Sequence, residues 1–100
     1  MDLTGKQRSY LRALANSMDT VVVIGKNGIS DAVIAEGNGA LEARELIKCR
    51  VLESAMLTAR EACDRLAKLT RSEPVQVIGS KFVLYRKSHK KEIKHIELPD

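Results

Sequence analysis

The sequence is short of the residues that define several protein classes. It has no tryptophan and only three aromatic residues, Tyr10, Phe82 and Tyr85. Its two cysteines, Cys49 and Cys63, form no close-spaced pair, so we expect buried, reduced thiols and no disulfide framework. No apolar run is long enough to span a bilayer, and the N-terminus carries no signal-peptide pattern. These absences favour a cytoplasmic protein without a membrane partner.

Motifs for cofactor and catalytic chemistry are also absent. The glycine loop at residues 25–28 lacks the spacing and the Lys-Ser/Thr pair of a Walker A motif, and the preceding glycine of a dinucleotide fingerprint. His89 and His95 lie in a lysine-rich segment and make a poor metal site. No histidine falls in the predicted core, and the acidic residues are scattered on outer helical faces. We therefore expect no enzymatic activity, no metal and no cofactor.

What the chain does contain is typical of one soluble globular domain over residues 1–100. Apolar residues make up 44% of the chain and charged residues 30%. Seventeen basic and thirteen acidic residues give a net charge of +4 and a pI near 9.3. This excess favours a polyanionic partner, although a modest positive charge also simply aids solubility.

One strand–loop–helix segment organises the rest. The β-branched run at residues 21–24 predicts a strand packed on both sides. Gly25 and Gly28 can both adopt positive φ, and Ser30 is a suitable N-cap for the helix that follows. A helix N-terminus fronted by a glycine loop and by Lys26 suits an anion such as phosphate. The same pattern also occurs as a plain turn in many α/β proteins.

Hydrophobic periodicity places seven elements along the chain. They are a helix capped by Thr4 to about Asn16, the strand 21–24, a helix from Asp31 to about Ala43, a strand 45–52, a helix from about Ala55 to Thr70, and strands 75–78 and 81–86. The order α-β-α-β-α-β-β predicts an α/β fold with three helices and a mixed four-stranded sheet. Right-handed crossovers would put the second and third helices on one face, whereas the pattern leaves the position of the first helix open.

The last two strands predict a hairpin with a type II′ turn at Gly79-Ser80. That register pairs Ile78 with Lys81 and Val77 with Phe82. The predicted core face then carries Val75, Val77, Phe82 and Leu84. The opposite face carries Gln76, Ile78, Lys81, Val83 and Tyr85.

The second and third helices carry more detailed expectations. Gly37 lies on the buried side of the second helix, which suggests a close approach to the sheet, whereas Gly39 has no evident reason to be glycine. The third helix is expected to bury Ala55, Ala59, Ala62, Leu66 and Leu69. Glu61–Arg65 and Asp64–Lys68 have the spacing of i,i+4 ion pairs on its outer face. We therefore predict no functional residue on this helix.

Basic residues outside the predicted core fall into three groups. Lys6, Arg8 and Arg12 lie off the apolar stripe of the first helix, and Lys48 and Arg50 share the outer face of the second strand. A solvated surface explains both groups as readily as a binding role. The third group belongs to the basic tail at about residues 87–100, which we expect to be a solvated terminus with a short edge strand at 96–98 at most.

Taken together, several separated motifs resemble the CRM domain (chloroplast RNA splicing and ribosome maturation), in particular its small stand-alone bacterial YhbY-type members. The resemblance covers nearly the whole chain. It rests on Leu3-Thr4, Lys6-Gln7-Arg8, Leu11-Arg12-Ala13-Leu14-Ala15, Val22 to Ser30, Glu45-Leu46-Ile47-Lys48, Val75-Gln76-Val77-Ile78-Gly79 and Val83-Leu84-Tyr85-Arg86.

The resemblance implies a fold like the C-terminal domain of translation initiation factor three. It implies an RNA-binding protein that associates with precursors of the large ribosomal subunit and assists their assembly. We also expect a cytoplasmic monomer with no DNA partner. The implied RNA-binding residues are the Gly-x-x-Gly loop Gly25, Lys26, Asn27 and Gly28, and the basic residues Lys6, Arg8, Arg12, Lys48, Arg50, Arg86 and Lys87. With so few aromatic residues, binding is expected to depend on phosphates and RNA shape.

Two alternatives remain open at this point. The apolar outer-face residues Ile78, Val83 and Tyr85 suggest a protein-docking module of the ribosome or its assembly factors. The glycine loop also suits an enzyme that binds a small phosphorylated ligand, for which thermal shift with nucleotides and sugar phosphates is a test; we expect no shift.

Overall fold

The α-β-α-β-α-β-β order is confirmed in a computed structural model that describes residues 2–100. The elements are α1 (Gly5–Ala15), β1 (Thr20–Ile24), α2 (Asp31–Arg44), β2 (Leu46–Val51), α3 (Ala59–Thr70), β3 (Glu73–Ile78) and β4 (Lys81–Tyr85). The segment Glu53–Ala55 forms a short 3-10 turn, so α3 begins four residues later than predicted, at Ala59 and not at Ala55. The helix begins instead after Thr58, whose hydroxyl accepts from the Glu61 amide while the Glu61 carboxylate accepts from the Thr58 amide, both at 3.0 Å.

The four strands form one mixed sheet in the order β1-β2-β4-β3. β1 and β2 are parallel, and β4 runs antiparallel to both β2 and β3. The C-terminal ends of β1 and β2 therefore lie at the same end of the sheet as the Gly79-Ser80 turn, where the amide of Val51 donates to the Ser80 carbonyl at 2.8 Å. We call this the loop end, and the opposite end, where β4 finishes, the tail end.

Helices cover the two faces of the sheet unequally. α2 and α3 pack on the inner face, as predicted, over a core that includes Val22, Ile24, Leu41, Ile47, Cys49, Leu66, Phe82 and Leu84. α1 packs on the outer face, where Leu11 and Ala15 join Leu46, Val75, Val83 and Tyr85 in a second cluster. The position of the first helix, which the sequence pattern leaves open, is thereby settled.

β1 is half-buried, so the expectation that it packs on both sides is wrong. Val22 and Ile24 are fully buried, but Val23 is 49% exposed. β1 is an edge strand of the sheet, and α1 contacts the other three strands on the outer face. On α1, the helical spacing of Tyr10, Leu11, Leu14 and Ala15 predicts one buried apolar stripe, but Tyr10 and Leu14 are exposed.

The β3–β4 hairpin has the predicted register at its turn and a different one near its start. Ile78 pairs with Lys81 and Val77 with Phe82, and Gly79 has φ +59°. The register shifts between Pro74 and Gln76, and proline has no amide to donate to the ladder. This irregularity turns Val75 away from the predicted core face, and it packs instead in the α1 cluster.

Helices α2 and α3 meet at Gly37, which is a correction to the expected approach to the sheet. A Cβ at Gly37 would lie 3.6 Å from side-chain atoms of both Leu66 and Thr70, so glycine sets the spacing between two helices. Leu69, predicted to be buried, is 53% exposed. Nothing in the structure explains Gly39, around which a Cβ would meet no atom within 4 Å.

The segment after β4 is held to the fold, so the expectation of a solvated terminus is wrong. Residues 96–98 form no strand; instead Ile96 and Leu98 pack against the α1 cluster. The Gln7 side-chain amide donates to the Pro99 carbonyl at 3.0 Å. The tail thus crosses the outer face beside α1.

Glu45 anchors this tail. It ends α2 as the C-cap with φ +66°, not as the first residue of the predicted strand, and its side chain is fully buried. Its carboxylate accepts from the amides of Ser88 at 2.6 Å and Ile96 at 2.7 Å and contacts His95 Nδ1 at 2.7 Å. Three contacts from the tail therefore converge on one buried charge.

The cysteines are buried and free, as predicted. Burial raises the pKa of the Cys49 thiol to about 12 and that of Cys63 to about 11. None of the helices within residues 2–100 combines the length and the apolar character needed to cross a membrane. Across the same residues, no cluster of three or more histidine, cysteine or acidic side chains is arranged to hold a metal ion.

Candidate nucleic-acid interface

The glycine loop is a tight turn at the loop end of the sheet. The amide of Gly28 donates to the Gly25 carbonyl at 2.9 Å, and Gly28 has φ +62°. Of the two loop glycines, Gly28 adopts positive φ and Gly25 does not. A single left-handed residue is enough to redirect the chain from β1 into α2.

The turn presents a helix N-terminus and two polar side chains to solvent. The Ser30 hydroxyl accepts from the Val33 amide at 3.3 Å, which confirms the predicted N-cap. The amides of Asp31 and Ala32 have no acceptor within the helix, as at every α-helix start. Lys26 and Asn27 are exposed. The loop therefore offers a cation beside the positive end of a helix dipole.

Beside the loop lies a groove of about 540 Å³, formed between residues 26–29 and α3. Its cationic lining consists of Lys26, Arg65 and Lys68, and its apolar lining includes Leu57 and Leu69. Of the described residues that line it, none is acidic. We refer to it as the loop–α3 groove.

Arg65 and Lys68 are site candidates that the sequence interpretation missed. It treated them as outer-face partners of Glu61 and Asp64. Together with Leu69 they occupy positions i, i+3 and i+4, and thus one face of α3. An apolar residue beside two cations on one helix face was the available signal, but periodicity alone does not show that this face is turned towards the loop.

Arg50 is the predicted strand cation that lies nearest the loop end. It pairs with Val23 of β1 and with Lys81 of β4, one residue before β1 and β2 end. Arg50 and Lys81 are both exposed, and Lys81 was not among the predicted site residues. Lys48 lies further along β2, opposite Val83, and is half-buried.

The predicted cations of α1 lie away from the loop. Lys6, Arg8 and Arg12 belong to the helix that packs on the outer face. Arg8 Nε donates to the Pro74 carbonyl at 3.3 Å, and Pro74 belongs to β3, the edge strand farthest from β1. The structure therefore does not bring these residues together with the Gly-x-x-Gly loop.

Arg86 and Lys87 follow β4 at the tail end, opposite the loop. Lys87 is exposed, but the Arg86 guanidinium is held inside the fold. It donates to the Thr70 carbonyl at 2.6 Å, to Asn38 Oδ1 at 2.8 Å and to the Glu42 carboxylate at 3.0 Å. The structure gives Arg86 a bridging position between α2 and α3, so it is not part of a surface beside the loop.

The aromatic side chains provide no stacking platform in the described part of the chain. Phe82 is fully buried and Tyr85 is 2% exposed, while Tyr10 is exposed on α1. Successive bases stack on exposed aromatic rings in many single-strand binders. A nucleic acid bound to this surface would therefore be held by the polar groups of the loop and by the neighbouring cations, not by base stacking.

The chain is similar to known bacterial proteins over nearly its whole length. The family model described as the CRS1 / YhbY (CRM) domain matches residues 3–86. The Probable RNA-binding protein YqeI of Bacillus subtilis is 44% identical over 97 residues, which cover 97% of this chain and 99% of that protein. An RNA-binding protein of Haemophilus influenzae is 36% identical over 91% of this chain and 92% of its own length.

A solved structure shows the same fold. The solution structure of the hypothetical protein SAV1595 from Staphylococcus aureus, described as a candidate RNA-binding protein, superposes with a TM-score of 0.77. The two sequences are 45% identical, and the match covers 98% of this chain and all of that one.

Proposed function

The chain belongs to the CRS1/YhbY (CRM) domain family, and from that premise we propose that it binds RNA through the Gly-x-x-Gly loop. The observation that carries the proposal is the exposed turn at residues 25–28, which places Lys26 beside the N-terminus of α2. Backbone amides and a cation in this arrangement suit the phosphates of a nucleic acid. KH domains use a loop of the same pattern to clamp a sugar–phosphate backbone.

Charge around the loop supports the same contact. Arg50 lies on the outer face one residue from the end of β2, and Arg65 and Lys68 line the groove on the other side of the loop. Cations that neutralise phosphates release condensed counterions, which makes binding depend on salt. The proposed interface therefore consists of the loop with Arg50, Arg65 and Lys68.

We further propose that the RNA is ribosomal and belongs to precursors of the large subunit, whose assembly the protein assists as a cytoplasmic monomer. The support is the sequence resemblance to the stand-alone YhbY-type members of the family. Crosslinking in cells, followed by sequencing of the attached RNA, tests this part. Enrichment of precursor over mature large-subunit RNA is the expected result.

The alternative of a protein-docking module loses most of its support. It depended on an apolar outer face formed by Ile78, Val83 and Tyr85. Val83 and Tyr85 are each only 2% exposed beneath α1, which leaves Ile78 as the one accessible member of that set.

A double substitution in the loop tests the RNA contact. Lys26→Asp with Asn27→Asp changes the local charge by −3 (−2 and −1) at two exposed positions and is expected to abolish binding while leaving the melting temperature nearly unchanged. The matched control is Lys91→Asp with Ser17→Asp, which makes the same change of charge at exposed positions away from the loop. The control is expected to keep most of the affinity.

Salt dependence provides the second readout. The logarithm of the association constant is expected to fall linearly with the logarithm of the salt concentration, with a slope that reports the number of neutralised phosphates. Normal RNA binding by the doubly acidic loop would show that the loop is not the contact.

A further inference from the structure

We propose that the loop–α3 groove holds one unstacked nucleotide of single-stranded RNA. This inference rests on the proposed RNA-binding function and specifies its substrate as single-stranded rather than duplex. The phosphate contacts Lys26, Arg65 and Lys68, and the base lies on the apolar surface formed by Leu57 and Leu69.

The groove has the size and charge for such an occupant. Its volume of about 540 Å³ is that of a typical small-molecule site, and the groove is shallow and open on its solvent side. Three cations line it and, within the described lining, no carboxylate opposes them. An anionic group that enters the groove is therefore attracted from both the loop side and the α3 side.

The apolar part of the groove distinguishes a nucleotide from a phosphate alone. Leu69 is 53% exposed on a helix whose other side packs in the core, and it lies next to Lys68 on the groove wall. Leu57 lies beneath the loop, with its Cδ1 at 3.9 Å from the position a Gly28 Cβ would take. A flat base placed on these aliphatic side chains buries apolar surface from both partners.

A duplex does not offer a base for this contact. In an A-form helix the bases are paired and stacked, and a protein reaches mainly the phosphates and the 2′-hydroxyls of the minor groove. An unpaired nucleotide has a free face for Leu69 and a phosphate for the cations at the same time. The groove therefore favours single strands, loops or bulges.

The experiment measures binding of the full chain to a short oligouridylate, which has no secondary structure, and to a duplex of equal length. Leu69→Ser is expected to weaken oligouridylate binding about fivefold by removal of the aliphatic surface that the base would bury. Its matched control is Ile78→Ser, because Ile78 is also an exposed aliphatic residue, 63% accessible, but lies outside the groove. Leu69→Met keeps the apolar surface and is expected to restore affinity.

The charged wall is tested by Arg65→Gln with Lys68→Gln, for which Arg44→Gln with Lys91→Gln is the control of equal charge change. All four positions are exposed, so the variants are expected to fold, and circular dichroism checks that they do. The groove variant is expected to bind oligouridylate about tenfold more weakly at low salt and the control about as well as the wild type.

The outcomes separate this inference from the proposed function. If the acidic loop variant loses RNA binding but the Leu69→Ser and Arg65/Lys68 variants do not, the groove inference is overturned while the loop function stands. Wild-type binding to the duplex that equals or exceeds binding to oligouridylate also overturns it. If the wild type binds neither RNA, the proposed function itself fails.

Discussion

His95 Nδ1 lies 2.7 Å from a carboxylate oxygen of Glu45, fifty positions earlier in the chain. Burial raises the pKa of the Glu45 carboxyl. Hydrogen bonds from His95, Ile96 and Ser88, together with the charge of His95, lower this pKa by more than burial raises it, so the pKa lies below its usual value. Glu45 is therefore ionised at neutral pH, and Nδ1 of His95 donates the hydrogen bond. A fully buried anion fastens the tail to the end of α2.

Replacing Glu45 by glutamine is expected to destabilise the protein by about 3 kcal/mol, because a buried acceptor of three donors is replaced by an amide with one acceptor oxygen. Urea denaturation measures the free energy of unfolding. Glu36→Gln, at an exposed position of the same helix, is the control and is expected to change stability by less than about 0.5 kcal/mol. Equal stability of the two variants would contradict the anchoring role of Glu45.

Stability is expected to fall in acid through the same carboxyl. Because the folded pKa of Glu45 is below its ordinary value of 4.5, ionised Glu45 contributes stability that is complete above that value. This contribution is lost as the pH falls from about 4.5 through the lower folded pKa. The pKa of Glu42 is also lowered, mainly by a hydrogen bond from the His89 amide, so Glu42 contributes to the same loss of stability in acid.

Denaturation curves recorded at neutral pH and at several values below 4.5 check this sign. The wild type is expected to lose stability over that interval, and Glu45→Gln to lose less, because it lacks one of the titrating groups. A steeper acid loss in the variant would show that Glu45 is not the group responsible.

Arg86 is expected to act on stability and not on RNA affinity. Arg86→Ala removes bonds to the Thr70 carbonyl, Asn38 and Glu42 and should cost about 2–3 kcal/mol. Arg86→Lys should recover only part of it, because an ammonium group does not reproduce the planar fork of donors.

Chemical denaturation and RNA titration of the same Arg86 variants separate the two roles. Folded Arg86→Lys is expected to bind RNA within about twofold of the wild type, since a group held inside the fold makes no phosphate contact. A stable Arg86→Lys protein with strongly reduced affinity would instead support the RNA contact that the family resemblance implies.

Two glycine-to-alanine changes are expected to have opposite signs. Gly39→Ala should stabilise the protein by about 0.5–1 kcal/mol, because the position is helical and a Cβ there meets no atom within 4 Å. Gly28→Ala should destabilise it by about 1–2 kcal/mol, because φ is +62°. Thermal unfolding measures both, and a destabilised Gly39→Ala protein would reveal a constraint that the packing does not show.

The helices, strands and turns could be predicted because caps, turns and hydrophobic periodicity depend on residues that are close together in the sequence. The cap at Thr4, the cap at Ser30 and the turn at Gly79 are all present as predicted. The errors have two sources. The anchoring role of Glu45 was missed because its partners lie more than forty positions away. Val75 was placed on the wrong face because the regular hairpin pattern does not show the register shift between Pro74 and Gln76.

The same distinction applies to the candidate site. The loop itself was predictable from ten consecutive residues, including the exposed Lys26. Arg65 and Lys68 were not, because their relevance depends on how α3 packs relative to the loop. Arg86 was assigned to the binding surface because nothing in the sequence around it indicates that the Thr70 carbonyl and the Glu42 carboxylate surround its side chain.

The buried Glu45, which holds the tail to the end of α2, lies at the opposite end of the sheet from the Gly-x-x-Gly loop. Exposed side chains around the loop can therefore be exchanged at small cost to folding, so a library randomised at positions 26, 27, 65 and 68 should yield mostly folded proteins. RNA preference could then be selected separately from stability.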